Sequence, residues 1–280
     1  MARSGENGNA ARYLVSALAF ALTFLPGLAS GVGDRGADGE FARRDSFHFT
    51  LFQDVDIDES AGLYGSRKFE KDLLSELEAA FDRLDQILGL RAEGKLVVYV
   101  WDPALFDAEY RHLFRFPAAG FYGGAIHIRG DTQITPRLVR VLHHELVHAA
   151  FDAAAPRLSL PAWMNEGVAE WFEARAVGKR TLGGHERAVV GRLARAGQLF
   201  SLADLGTPSL GHLGPEAARL AYLQSYAFIE YLVGRYGEAD LVRFWKAVVR
   251  SRSLDRGARR AYRADMADLE QGFLQNAATY

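Results

Sequence analysis

The stretch VLHHELVHAAF, residues 141–151, constrains this chain more than any other feature. Each residue of a helix turns by about 100°, so His144 and His148 lie on one face, where both imidazoles can reach a single metal ion. Glu145 directly follows His144, which places its carboxylate beside the ion's open position rather than among the ligands. We therefore predict a metal-binding helix in which Glu145 acts as a base. His143 points away from His144 and is interpreted as a flanking residue.

Two histidines leave a catalytic metal site one protein ligand short. The segment PAWMNEGVAEWFEA, residues 161–174, is the best place to look for that ligand. Glu166 lies 18 residues beyond His148, after a break with two prolines that lets a second helix fold back against the first. Glu170, one turn after Glu166, is positioned to accept the other ring N–H of a ligand histidine.

The residues before the metal-binding helix show alternating strand and helix patterns. Alternating or continuous apolar runs predict strands at 46–52, 95–101 and 120–130, and apolar residues at three- and four-residue steps predict a helix at 67–90. Asp102-Pro103 is typical of a turn or short helix, and Thr135 and Pro136 suit the start of the metal-binding helix.

The residues after that helix are mostly helical in pattern. Helices are predicted at 164–176, 185–197, 216–235, 238–250 and 260–276. A small α/β layer therefore comes first and a helical part second, so the predicted fold class is α+β.

Composition excludes several classes of function. The formal charge is −2, with 33 basic and 35 acidic residues mixed along the chain, so neither a nucleic acid nor an anionic membrane surface is predicted as a partner. The chain has no cysteine, which excludes disulfides and thiol chemistry. Any metal must be bound by His, Asp and Glu.

The N-terminus has the pattern of an export signal. Arg3 and Arg12 precede an apolar run at 13–25, followed by Pro26 and small residues suited to cleavage. The run is shorter than the roughly 20 residues that a spanning helix needs, so we expect cleavage and export, with an uncleaved membrane anchor as the alternative. The predicted organisation is a signal peptide at 1–30, a flexible leader at 31–45, an α/β subdomain at 46–155 and a helical subdomain at 156–280.

HELVH followed by WMNEGVAEWFE resembles the gluzincin metallopeptidases of the peptidase MA-like superfamily. The resemblance covers about residues 118–236 and is strongest at 143–173. It implies a zincin-like fold with a small mixed sheet, a zinc ion held by His144, His148 and Glu166, and Glu145 as general base. Glu170 takes the place of the residue that holds a ligand histidine by a hydrogen bond, which is an Asp in thermolysin-like members.

The segment AYLQSYAFIEYL, residues 221–232, resembles the tyrosine-bearing helix of the aminopeptidase N type. This implies that Tyr222 donates to the oxyanion, with Tyr226 as the competing choice. GGAIHI, residues 123–128, is similar to the edge strand that binds extended peptide. The acidic element that aminopeptidases use for a free N-terminus is missing from it, which argues against exopeptidase activity.

The leading hypothesis is therefore an exported zinc-dependent peptidase that acts on peptides or proteins. Two alternatives stay open: a catalytically silent zincin-like binding or assembly module, and an amidase of cell-wall peptides. His127, His185 and His212 are alternative oxyanion donors, but none lies in a matching motif, and we interpret them as surface residues.

Overall fold

The computed structural model describes residues 41–55, 65–115, 118–131 and 133–280. The predicted signal peptide and residues 31–40 of the predicted leader lie outside these ranges. The first strand, Ala42–Asp45, occupies the last residues of that leader, so regular structure begins earlier than expected. None of the helices in the described ranges has the length and apolar character needed to cross a bilayer.

Five strands form one mixed sheet within the described residues. They are β1 (Ala42–Asp45), β2 (Phe49–Gln53), β3 (Leu96–Trp101), β4 (Gly120–Tyr122) and β5 (Ile126–Arg129), in the order β1-β2-β3-β5-β4. The central strands β2, β3 and β5 are parallel, and both edge strands are antiparallel to their neighbours. The predicted small mixed sheet is confirmed.

The segment 120–130, predicted as one strand, is a hairpin. Gly124 has a φ of 90°, a conformation that favours glycine, and the chain reverses there between β4 and β5. The prediction that GGAIHI is the edge strand is therefore wrong, because β5 lies between β3 and β4. The edge strand is β4.

The helices follow the predicted order with small shifts of their ends. They are α1 (Gly65–Leu88), α2 (Pro103–Tyr110), α3 (Pro136–Ala154), α4 (Ala162–Ala176), α5 (Gly184–Arg195), α6 (Pro215–Tyr236), α7 (Glu238–Ser251), α8 (Leu254–Tyr262) and α9 (Met266–Ala277). Thr135 caps α3 as predicted, because its hydroxyl accepts the N–H of Leu138 at 3.2 Å and Pro136 occupies the first turn. The α+β class is confirmed.

The helix predicted at 260–276 is in fact two helices. Arg263 adopts a left-handed conformation with a φ of 57°, which ends α8. The side chain of Asp265 then accepts the N–H of Asp268 at 3.0 Å and starts α9. The periodicity of apolar residues continues across this break, and for that reason the sequence pattern did not show it.

Close backbone contacts place α3 and α4 at the centre of the molecule. A Cβ on Gly120 of β4 would lie 2.7 Å from Cγ1 of Val141, so the edge strand packs directly on α3. A Cβ on Gly167 of α4 would lie 2.6 Å from the carbonyl oxygen of Ser225, so α4 packs equally closely on α6. The sheet therefore packs against α3, and α6 packs against α4.

Candidate metal centre

His144 and His148 lie one turn apart in the most buried part of α3. Their side chains are 0% and 2% exposed, and their ring centroids are 4.9 Å apart at an interplanar angle of 73°. Both rings face α4, which follows α3 after the break at Pro156 and Pro161.

Glu166 of α4 meets the two imidazoles. Its Oε2 atom lies 3.3 Å from Nε2 of His144 and 3.4 Å from Nε2 of His148. Two atoms bound to one zinc ion at tetrahedral angles lie roughly 3.3–3.4 Å apart, so these separations are those of a shared ion. The three ligand atoms all lie within 4.8 Å of one another, and the structure brings the predicted ligand set together.

The remaining ring nitrogens have acceptor partners that fix the tautomers. Nδ1 of His144 lies 3.1 Å from Oε2 of Glu173, and Nδ1 of His148 lies 3.0 Å from Oδ1 of Asn165. Because these oxygens accept hydrogen bonds, each Nδ1 carries the proton and donates it. Each Nε2 atom is then directed toward Glu166 and is the ring nitrogen that could bind a metal ion.

Arg140 of α3 completes the support behind His144. Its Nε donates to Oε1 of Glu173 at 3.0 Å, and its Nη2 forms an ion pair with the same oxygen. Glu173 is fully buried, so the arginine offsets the cost of removing its charge from water. The result is a chain of contacts from Arg140 through Glu173 to His144.

Glu170 does not have the contact that the sequence predicted for it. The hydrogen bond to the ring of His144 comes from Glu173, one turn further along α4. Burial, together with the neighbouring Glu173, raises the pKa of Glu170 to about 8. Glu170 is therefore a second carboxyl group beside the Glu173–His144 pair, within reach of the same ring.

Glu145 is fully buried next to the cluster, and neither of its carboxylate oxygens has a hydrogen-bond partner among the described residues. Burial raises its pKa well above the usual range, and the nearby Glu166 and Glu173 add to this effect. A free, buried carboxylate beside the ligand atoms matches the placement predicted for a base.

The donor set and its charge fit a divalent cation. Glu145, Glu166, Glu170 and Glu173 are four buried carboxyl groups, whereas Arg140 is the one arginine bonded to them in the described part of the chain. Nε2 of His148, Oε1 of Glu166 and both oxygens of Glu145 lack hydrogen-bond partners within the described ranges. Unpaired buried groups of this kind are costly, and a bound cation relieves that cost.

The family comparison agrees with this geometry. A family model described as the peptidase MA superfamily matches residues 126–277, more than half of the chain. The chain belongs to the peptidase MA superfamily. No curated relative matches it. The match begins within β5, includes both ligand helices and continues to the end of α9, beyond the 118–236 covered by the motif resemblance.

Both tyrosines predicted as oxyanion donors in this member of the peptidase MA superfamily lie on α6. Tyr222 is fully buried on this helix, which packs against α4 at Gly167. Tyr226 lies in different surroundings, with the ammonium of Lys179 5.0 Å from its ring centroid. Burial and the charge of Glu230 raise the pKa of Tyr226. The role of Tyr222 stays a prediction.

The other histidines lie apart from the ligand cluster. His143 is buried, and its Nδ1 lies 2.9 Å from the carbonyl oxygen of Val139, away from His144. His185 and His212 are exposed as predicted. The prediction that His127 is a surface residue is wrong: its ring stacks on Phe121 at 4.7 Å, and burial lowers its pKa to about 4.

A cavity of about 310 Å³ opens next to His148 and Asn165. Its apolar wall includes Phe151 and Leu160. On the sheet side, the hydroxyl of Tyr122, at the end of edge strand β4, donates to Oδ2 of Asp152 at 2.8 Å. The cavity thus lies between His148 and the edge of the sheet.

Two important residues of the centre were missed in the sequence. Glu173 lies seven residues after Glu166, and seven residues bring a helix back to within about 20° of the same direction, closer than the four-residue step to Glu170. Asn165 directly precedes Glu166 and was overlooked because an amide is not a usual metal ligand. Helical spacing places Glu173 on the same face as Glu166 and would have made it a candidate beside Glu170.

Proposed function

We propose that this chain is a zinc-dependent peptidase of the gluzincin type. The observation that carries the proposal is the meeting of His144, His148 and Glu166 beside the unpaired carboxylate of Glu145. Three protein ligands that leave one position open are the arrangement of a catalytic rather than a structural zinc site. Membership of the peptidase MA superfamily supports the same reaction class.

Glu145 is the general base of the proposed mechanism. A bound zinc ion supplies a Lewis-acid centre that makes water acidic enough to lose a proton near neutral pH. Glu145 accepts that proton because both its oxygens are free of other hydrogen bonds among the described residues, and it then delivers the proton to the leaving nitrogen. Burial excludes competing water from its carboxylate.

Tyr222 is the proposed donor to the oxyanion that forms as the peptide carbonyl is attacked. A hydroxyl that donates to developing negative charge in a buried site stabilises the transition state more than the ground state. The complete burial of Tyr222 on α6, next to the helix that carries Glu166, supports this role.

The proposed substrates are peptides or proteins, with no nucleic acid and no membrane partner beyond the N-terminal signal. Edge strand β4 offers backbone groups on its outer side, and the cavity beside His148 offers space for one large side chain. The proposal of export rests on the N-terminal sequence pattern alone. N-terminal sequencing of the exported protein is expected to start near residue 30, and an intact Met1 would contradict cleavage.

The first test is the substitution Glu145→Gln, which keeps size and removes the base. Loss of a general base costs about 10²–10⁴ in rate, and metal content is expected to stay at the parent's level because Glu145 is not a ligand. Cleavage of a broad peptide library and bound metal are measured together. Glu109→Gln, an exposed change on α2, is the matched control.

Equal cleavage by Glu145→Gln and the parent would contradict the role of Glu145. A parent chain that holds one metal ion but cleaves no peptide would instead support the silent binding module. A parallel incubation with purified peptidoglycan distinguishes the amidase, since only that activity would release cell-wall peptides while the library stays intact.

A further inference from the structure

Four arginine side chains surround a second cavity, on the opposite face of α4 from the metal centre. This arginine cavity has a volume of about 560 Å³ and lies where α4, α5, α6 and the end of α9 meet. The arginines are Arg175, Arg180, Arg187 and Arg235. They come from three different helices and one loop, so the chain brings them together only on folding.

The positive charge of the arginine cavity is poorly balanced. Glu230 carries the one carboxylate side chain among the described lining residues, and its Oε2 already accepts the N–H of Leu182 at 2.6 Å. Arg187 approaches the other oxygen of Glu230 only at 3.5 Å. The nearest charge partner of Arg175 is Glu238, at 2.9 Å, and the side chain of Glu238 is 49% exposed.

Two of the arginines lack an acidic partner altogether within the described ranges. Arg180 is exposed at the cavity and forms no ion pair there. Arg235 donates to the hydroxyl of its neighbour Tyr236 at 3.2 Å, and that contact leaves its charge uncompensated. The cavity therefore offers guanidinium groups with free donors.

Trp171, which lines the cavity, has a buried N–H donor without a partner among the described residues. Its side chain is fully buried and lines the cavity, with the guanidinium of Arg175 3.4 Å from its ring centroid. The indole N–H has no hydrogen-bond acceptor in the described part of the chain. A buried donor without a partner is unfavourable, so this lining residue adds one more unpaired donor to those of the arginines.

We propose that the arginine cavity binds a phosphate-class oxyanion with at least two negative charges. Guanidinium groups bind phosphate oxygens through paired N–H donors, and several arginines together neutralise a dianion better than a monoanion. The anion is either free in solution or the phosphoryl group of a larger molecule, because both present the same oxygens. This site is separate from the proposed peptidase reaction and does not depend on it.

The test is a calorimetric titration of the metal-free full chain with inorganic pyrophosphate at fixed ionic strength. We expect one saturable site in the parent and at least tenfold weaker binding in Arg180→Gln/Arg235→Gln. The matched control is Arg259→Gln/Arg260→Gln, which removes the same charge from an exposed part of α8 and is expected to bind like the parent. Both variants alter exposed or rim residues, and circular dichroism checks their fold.

Two results would overturn the proposal. One is the absence of saturable binding in the parent, and the other is equal weakening in the cavity variant and the α8 control, which would indicate general attraction to positive charge. Titrations with inorganic phosphate and with phosphoserine separate the two sources of the anion. Tight binding of citrate without binding of any phosphate compound would also contradict the assigned class.

Discussion

At the scale of single residues, the candidate metal centre depends on groups that would not touch the ion. Glu173 accepts from His144, Asn165 accepts from His148, and Arg140 holds Glu173. These contacts fix the directions of the two imidazole rings before any ion binds, so less freedom is lost on binding.

Glu173→Gln is therefore expected to weaken zinc binding by about 10–100-fold, because it removes the charge that holds the ring of His144. Glu170→Gln is the matched control, one turn earlier on the same helix, and is expected to stay near the parent's affinity. Competition with a chromogenic chelator measures both affinities. A larger loss in Glu170→Gln than in Glu173→Gln would restore the original assignment of Glu170.

The placement of the two histidines beside Glu145 could be predicted because spacing along a helix determines the direction in which each side chain points. His144, His148 and Glu145 share one helix, so their mutual placement follows from helical geometry alone. The choice between Glu170 and Glu173 depended instead on how α4 sits against α3. That packing is a tertiary contact, which residue spacing constrains only loosely.

At the scale of elements, α4 is held in place by its contact with α6. Gly167 lies directly after Glu166, and a Cβ there would lie 2.6 Å from the carbonyl oxygen and 2.9 Å from the carbonyl carbon of Ser225. Both are backbone atoms, which cannot rotate away as a side chain would. The glycine thus permits the close approach that fixes the position of Glu166.

Gly167→Ala is expected to lower the free energy of unfolding by about 1–3 kcal/mol, because the added methyl group overpacks the contact with α6. Gly234→Ala is the matched control, since a Cβ there meets nothing within 4 Å, and alanine is expected to stabilise the helix by about 0.5–1 kcal/mol. Urea denaturation measures both. An unchanged midpoint in Gly167→Ala would show that α4 and α6 can separate freely.

Helices were predicted more accurately than strands for a physical reason. The 3.6-residue period repeats many times along α1 or α6, whereas β4 and β5 offer only three and four residues each. The turn between β4 and β5 could be recognised in the sequence only by assuming that Gly124 has a left-handed conformation. His127 was wrongly predicted to be a surface residue for a similar reason. Both faces of the central sheet are covered, so the alternation of apolar and polar residues does not mark an exposed side.

At the scale of the whole molecule, α4 separates two sites. One face of α4 holds Glu166 and Glu173 at the candidate metal centre. The opposite face holds Trp171 and Arg175 at the arginine cavity. The α+β class, with the sheet in the first part of the chain and mostly helices in the second, followed from the sequence. The strand order β1-β2-β3-β5-β4 did not, because it depends on pairing between segments far apart in the chain.

The most direct measurement of the central claim is the metal content of the purified chain, parent beside Glu166→Ala, with circular dichroism to confirm that both are folded. We expect about one zinc ion per parent chain and almost none in the variant, because the carboxylate from α4 is one of the three proposed protein ligands. Zinc retained at the parent's level in folded Glu166→Ala would contradict it.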